Sequence, residues 1–265
     1  MQPVFTVNSV QWAAWMAAFL WPFVRMLALV STAPIFGESW VPRRVKVAIA
    51  VILAVVLGPT LGPMPSTPVV SAGGLWIMIQ QVLIGGAMGF VMRMIFAAVM
   101  AAGEYISLQM GLSFASFFDP MGGGGSTTVV SRLLNMLALL IFLAVDGHLL
   151  LVTALVESFH SLPVADAPLS AGGWMFLVQA GGQVFSTGLM LALPLVTALL
   201  TLNLAMGILN RASPQFSIFA VGFPLTLLAG IVMLELLMPR LGAFLEPRFG
   251  AGLVSVSDFV RALRP

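Results

Sequence analysis

The chain has 265 residues, of which 60% are hydrophobic and only 8% charged, with a net charge of +2. Soluble domains carry about 25% charged residues, so this composition excludes a water-facing fold and points to a polytopic membrane protein. The scattered arginines form no nucleic-acid patch, and the absence of cysteine excludes disulfides, thiolate metal sites and cysteine nucleophiles.

Apolar segments run over 10–33, 45–57, 75–102, 106–118, 129–156, 174–204 and 216–237. A bilayer core needs about 20 helical residues, and five of these segments reach that length. Segment 45–57 is short. Segment 106–118 is shorter and reads as a half-span or re-entrant piece, which is tolerated only where protein or water surrounds it. The first 24 residues hold no Lys or Arg, so no cleavable signal peptide is expected and the first segment stays in the protein.

Breakers separate the segments: "STAPIFGESWVPRR" (31–44), the uncharged "GPTLGPMPSTP" (58–68), "SLPVADAPLSAGG" (161–173) and "NRASPQFS" (210–217). No close repeat, long linker or soluble domain interrupts them, so a single integral unit is expected.

Trp12, Trp15, Trp76 and Trp174 lie near segment starts, where tryptophan prefers the headgroup level. With the N-terminus outside, alternation gives one aromatic belt and places Arg43, Arg44, Lys46 and Arg211 inside. The tail conflicts, because Arg240, Arg248, Arg261 and Arg264 then fall outside.

The segment "SFFDPMGGGGSTTVVSR" (116–132) carries four consecutive glycines. A phosphate loop of the Walker type needs a Lys directly after its last glycine; here Ser126 follows Gly125 and no basic residue comes before Arg132. A flexible loop fits better. Glycine frees the backbone, and Met110, Phe114, Phe117, Phe118 and Met121 supply soft apolar bulk that fills an irregular lumen. Hydrophobic constrictions gate by dewetting.

Arg25, Arg93, Asp146 and Glu235 lie inside apolar runs, where each costs about 2.5–3.5 kcal/mol at a helix centre. They pair across helix interfaces, lie near segment ends or line an ion pathway. Asp146 and His148 in "DGHLLL" are spaced for different helix faces. The two histidines offer no metal spacing, and Ser113 in "GLSFA" lacks the glycine that an intramembrane serine protease carries after its nucleophile. Gly85, Gly89, Arg93, Ala97 and Ala101 share one helical stripe, fit for close packing inside the chain or against another subunit.

Three blocks, "RMLALVSTAPIFGESWVPRRVKVAIA" (25–50), "GEYISLQMGLSFASFFDP" (103–120) and "LNRASPQFSIFAVGFPLT" (209–226), with "DGHLLL" between, resemble the FliR family of flagellar biosynthetic proteins and its virulence-type counterparts, the T subunits of type III secretion export gates. The resemblance covers about residues 10 to 240, and the flagellar branch looks closer than the virulence-type one. It implies an all-α polytopic membrane protein of helical hairpins, FliP-like over about 10–170 and FliQ-like over about 171–240, with a tail at 241–265. The subunit would be built into a helical, conical assembly, partly raised out of the bilayer plane within the flagellar basal body at the bacterial inner membrane. It implies FliP, FliQ and FlhB as partners, with unfolded export substrates in transit, no cofactor and no catalytic group. The lumenal loop that helps close such a gate maps to Met110, Gly111, Phe114, Phe117, Phe118, Asp119, Pro120, Met121, Gly122, Gly123, Gly124 and Gly125. Arg25, Arg93, Glu104, Arg132, Asp146, Arg211 and Glu235 are candidate structural or inter-subunit charges. A stand-alone ion or solute transporter with a midplane site around Asp146 and His148 is the competing reading, and it would call for inverted repeats, which the sequence lacks.

Overall fold

The computed structural model describes residues 9–65, 67–112, 127–213 and 221–264. Among these the regular structure is helical: α1 (Ser9–Thr32), α2 (Arg43–Leu57), a 3₁₀ turn (Gly58–Thr60), α3 (Ala72–Gln109), α4 (Val129–Ala144), α5 (Gly147–Ser161), α6 (Ala171–Ala212) and α7 (Phe223–Ala262). Among the described residues four helices are long and apolar enough to cross a membrane, and five spans result if the α4–α5 pair is one broken span. The chain is an all-α polytopic membrane protein.

Three elements differ from the sequence reading. Residues 106–109 are not a separate half-span but the last turn of α3, because no breaker precedes Gly111; 113–118 lie outside the described residues. The apolar run 129–156 is interrupted at Val145 and Asp146, where Asp146 adopts φ 54°, a left-handed conformation that aspartate tolerates better than most residues. The last helix does not stop near 237 but continues to Ala262 through Pro239 and Pro247. Beside Pro247, Arg248 donates to the carbonyl of Phe244 at 2.6 Å and lies over that ring. Arg240, Arg248 and Arg261 are thus helical residues.

The chain divides into two compact units. Unit 1 comprises Met1–Arg93, Gly147–Ala180 and Ala251–Pro265. In it α1 packs on α2, and Ala17 and Trp21 of α1 form a buried cluster with Ile77 of α3, flanked by Leu20, Met64, Val69 and Val164. Further along, α1 and α3 approach so closely that a Cβ on Gly85 would collide with the carbonyl of Arg25, and one on Gly89 with the Thr32 hydroxyl. That hydroxyl donates to the carbonyl of Gly86 at 3.0 Å. The glycine half of the small-residue stripe therefore serves packing inside the chain, as small residues do between membrane helices. Trp174 at the start of α6 meets Phe259 edge-on, 6.2 Å between centroids.

Unit 2 comprises Met94–Asp146 and Gly181–Gly250. Its centre is a triangle of buried rings, Phe96, Phe142 and Phe249, with centroids 5.1–5.6 Å apart. Offset and edge-on ring pairs of this kind add about 0.5–1.5 kcal/mol beyond their area. Gly103 lies against Ser131, and Gly188 against Ala98 and Ala101, so α3 is approached closely by α4 and by α6.

Candidate functional site: the pinned ends of the glycine loop

Residues 113–126, which carry Phe114, Phe117, Phe118, Asp119, Pro120, Met121 and the glycines Gly122, Gly123, Gly124 and Gly125, lie outside the described residues. Both flanks are described, and both are fastened to the last turns of α3 within unit 2.

The first flank is a helix stop. Gly111 sits at φ 78°, its N–H donates to the Leu108 carbonyl at 3.2 Å, and the Leu112 N–H donates to the Ser107 carbonyl at 3.1 Å. This is the Schellman arrangement, with glycine where a left-handed residue is required. Met110, one residue earlier, is buried and its side chain packs against the Cα of Gly230. Its carbonyl accepts from the Thr226 hydroxyl at 3.4 Å, and the Gln109 carbonyl accepts from Asn203 at 3.2 Å. Met110 is therefore an anchor between α3 and α7 in this structure.

The second flank is a helix start. Thr128 is the N-cap of α4, its hydroxyl accepting from the Ser131 N–H. The same hydroxyl receives a hydrogen bond from Ser107 at 2.8 Å, and the Thr128 N–H donates to the Glu104 carboxylate at 2.9 Å. Glu104 thus holds a backbone donor in place. Arg132, exposed, donates to the Thr127 hydroxyl at 3.1 Å. Ser107 takes part in both flanks, through its carbonyl on one side and its hydroxyl on the other.

The other charges separate into one buried and several exposed residues. Arg25 is fully buried yet contacts no carboxylate among the described residues. Its Nε donates to Gln81 at 2.7 Å, Nη1 to the carbonyl and hydroxyl of Ser158 at 3.0 and 3.1 Å, and Nη2 to the Leu162 carbonyl at 3.1 Å. The guanidinium also lies over the Phe159 ring, 4.1 Å from its centroid. The carbonyls belong to the end of α5, where unpaired acceptors and the negative end of the helix dipole collect, so the helix terminus supplies the counter-charge. Arg93, Asp146, Arg211 and Glu235 are exposed. His148, at the start of α5, has a buried Nδ1 without a hydrogen-bond partner among the described residues.

Sequence reasoning singled out Arg25 but missed its partners. The signal was present in the paired Gln80 and Gln81 inside "LWIMIQQVLI" and in Ser158 of "ESFHS", polar residues that an apolar segment retains only with a partner. It also missed Thr128, although a threonine directly before an apolar run is an N-cap signature.

An all-helical chain with several apolar spans and a glycine loop fastened at both ends defines a polytopic membrane protein with no catalytic constellation among its described residues. The profile of the bacterial export proteins, family 1, matches residues 16–251. The flagellar biosynthetic protein FliR of Pectobacterium carotovorum subsp. carotovorum is 48% identical over 97% of this chain and 98% of its own length. That of Escherichia coli (strain K12) is 49% identical over 97% and 98%, and that of Bacillus subtilis (strain 168) 32% identical over 83% and 86%. The chain belongs to the FliR family of flagellar biosynthetic proteins, and is a membrane component of the flagellar export apparatus.

Proposed function

We propose that this chain is a non-enzymatic subunit of the flagellar export gate in the bacterial inner membrane, assembled with FliP-, FliQ- and FlhB-type subunits, and that residues 109–128 form the element closing the channel to unfolded substrates. The observation that carries this reading is the double fastening at α3: the Schellman stop at Gly111 and the cap at Thr128. A plug needs fixed ends and a free middle. Residues 113–126 hold bulky Phe and Met followed by consecutive glycines, which combine a soft apolar stopper with a backbone free to move it aside.

Domain roles follow the same reading: a FliP-like part to about residue 170, a FliQ-like hairpin to about 240 and a terminal segment beyond. Deleting Gly122, Gly123, Gly124 and Gly125 in the native strain tests the plug. The expected result is ion leakage across the membrane or arrested export of flagellar proteins. Wild-type permeability together with wild-type export would refute it. Mild-detergent purification tests the assembly, since two small helical membrane proteins should co-purify in several copies per chain, and a stable monomer without them would count against a gate subunit.

A further inference from the structure

Unit 1 contains a cleft of about 400 Å³ between the first turns of α3, the end of α5, the 162–169 loop and Arg264. We propose that it binds a phosphate-bearing, hydroxylated anion, the headgroup chemistry of phosphatidylglycerol. The proposal does not depend on the gate reading.

The polar lining is set by bonds made behind it. Gln80 and Gln81 both line the cleft, and they are only 2% and 1% exposed. The Arg25 Nε–H can donate only to oxygen, so its 2.7 Å bond fixes Oε1 of Gln81 on the arginine side. The Gln81 Nε2 group then has no partner among the described residues and is left as a free donor. Gln80 is fixed in the opposite sense, because its amide nitrogen donates to the Ala167 carbonyl at 2.7 Å. Its Oε1 remains a free acceptor among the described residues. Each amide thus has one end committed to the protein and one end open to a ligand or water in the cleft.

The charge of the lining has one sign. Arg264 is present, and no Asp or Glu lines the cleft among the described residues. Arg264 is held by its Nε donating to the Ser161 carbonyl and makes no ion pair among the described residues, whereas Arg261 pairs with Asp258 at 3.7 Å. Asp166 belongs to the lining loop itself, between Ala165 and Ala167, but its carboxylate lies beside Gly73 at the start of α3. Buried Arg25 lies behind Gln81 without any carboxylate, so the amide presents its positive end to the cleft.

A guanidinium and an amide donor suit a phosphate, and the lone Gln80 acceptor suits a hydroxyl. Ile84, Leu162 and Leu169 provide an apolar wall. Trp76, one turn before Gln80, is exposed, as tryptophan is at the headgroup level. Phosphate chemistry alone would admit free inorganic phosphate as well, and the experiment separates the two.

The full chain, purified in mild detergent, is titrated with phosphatidylglycerol or phosphatidylcholine and bound lipid is read by native mass spectrometry. We expect phosphatidylglycerol to be retained about tenfold better, and Arg264→Gln to lose about that factor, the scale of one charge-assisted bond. Arg261→Gln, outside this cleft, should leave retention unchanged. Millimolar inorganic phosphate should not displace the lipid. Equal retention of both lipids by the wild-type chain overturns the proposal even if Arg264→Gln fails to fold. So does an Arg264→Gln protein that folds and retains phosphatidylglycerol as before. Complete displacement by inorganic phosphate overturns the lipid assignment.

Discussion

Arg25 and Ser158 stand 133 positions apart, yet the Arg25 guanidinium bonds both the carbonyl of Ser158, at 3.0 Å, and its hydroxyl, at 3.1 Å. With Gln81 and Leu162 completing the set, one side chain fastens α1 to α3 and to the end of α5. Buried charges are expensive unless hydrogen-bonded, and here the planar fork of arginine reaches both α3 and the end of α5.

Arg25→Leu leaves the Ser158 and Leu162 carbonyls and the Gln81 amide without their donor. At about 1–3 kcal/mol for each buried group orphaned, the expected loss is about 3 kcal/mol or more, read as a lower thermal midpoint of the detergent-solubilised chain. Arg25→Lys keeps the charge but not the fork, so it should fall between the two. An Arg25→Leu protein with a wild-type midpoint would refute the role given to this node.

Gly85 and Gly86 offer an internal control for the α1–α3 contact. A Cβ at Gly85 meets the Arg25 carbonyl, while one at Gly86 meets nothing within 4 Å. Gly85→Val should cost about 1–3 kcal/mol through overpacking. Gly86→Ala should be neutral or slightly stabilising, since alanine favours the helix by about 1 kcal/mol over glycine. Comparable losses in the two variants, measured by thermal midpoint, would show that helix propensity rather than close approach governs this stripe.

The extent to which these features are legible in the sequence depends on how local their causes are. The ends of α2 follow directly from an apolar run bounded by Pro42 and Gly58, and the expected 10–33 and 45–57 match α1 and α2 within two residues. The extension of α7 was hidden because prolines and arginines lower the hydropathy there. A helical period persists beneath it: Leu241, Leu245, Phe249, Val256, Phe259 and Leu263 are all buried, a spacing that hydropathy alone does not weigh. The glycine loop stood out by composition. Its fastening did not, because Glu104 and Thr128 are joined only after α3 and α4 have packed.

The cap at Thr128 supplies a third test. Thr128→Ala removes the acceptor for Ser131 and the partner of Ser107, and N-cap losses are typically about 1 kcal/mol. Glu104→Gln keeps an acceptor but weakens a charge-assisted bond. Both variants should increase amide hydrogen exchange in the first turn of α4 while leaving that of α5 unchanged. If 109–128 is the closing element, they should also raise resting ion permeability without lowering the amount of protein in the membrane. Unaltered exchange at 129–132 would remove the cap from the account.

Trp21 tests whether this core is held by shape or by polar bonds. The residue is completely buried, and its indole N–H has no acceptor among the described residues, although tryptophan normally finds one. The ring packs with Ala17 and Ile77, and Leu20, Met64, Val69 and Val164 flank the cluster. Volume is then its contribution, and the N–H a liability of about 1–3 kcal/mol, the cost of an unmade bond. Trp21→Phe removes both the liability and part of the volume, and these effects oppose one another. The expected net change is within about 1 kcal/mol. Trp21→Ala keeps only the loss, which for a buried aromatic runs about 3–5 kcal/mol. A large loss on Trp21→Phe would mean that the indole N–H is bonded in the membrane, to water or to an assembled neighbour. The shift of tryptophan fluorescence in a variant retaining Trp21 as its sole tryptophan would then identify that partner's polarity. A near-neutral result would establish that the first helix is seated on α3 by packing alone at this end, with Arg25 supplying the directional bonds one turn further along.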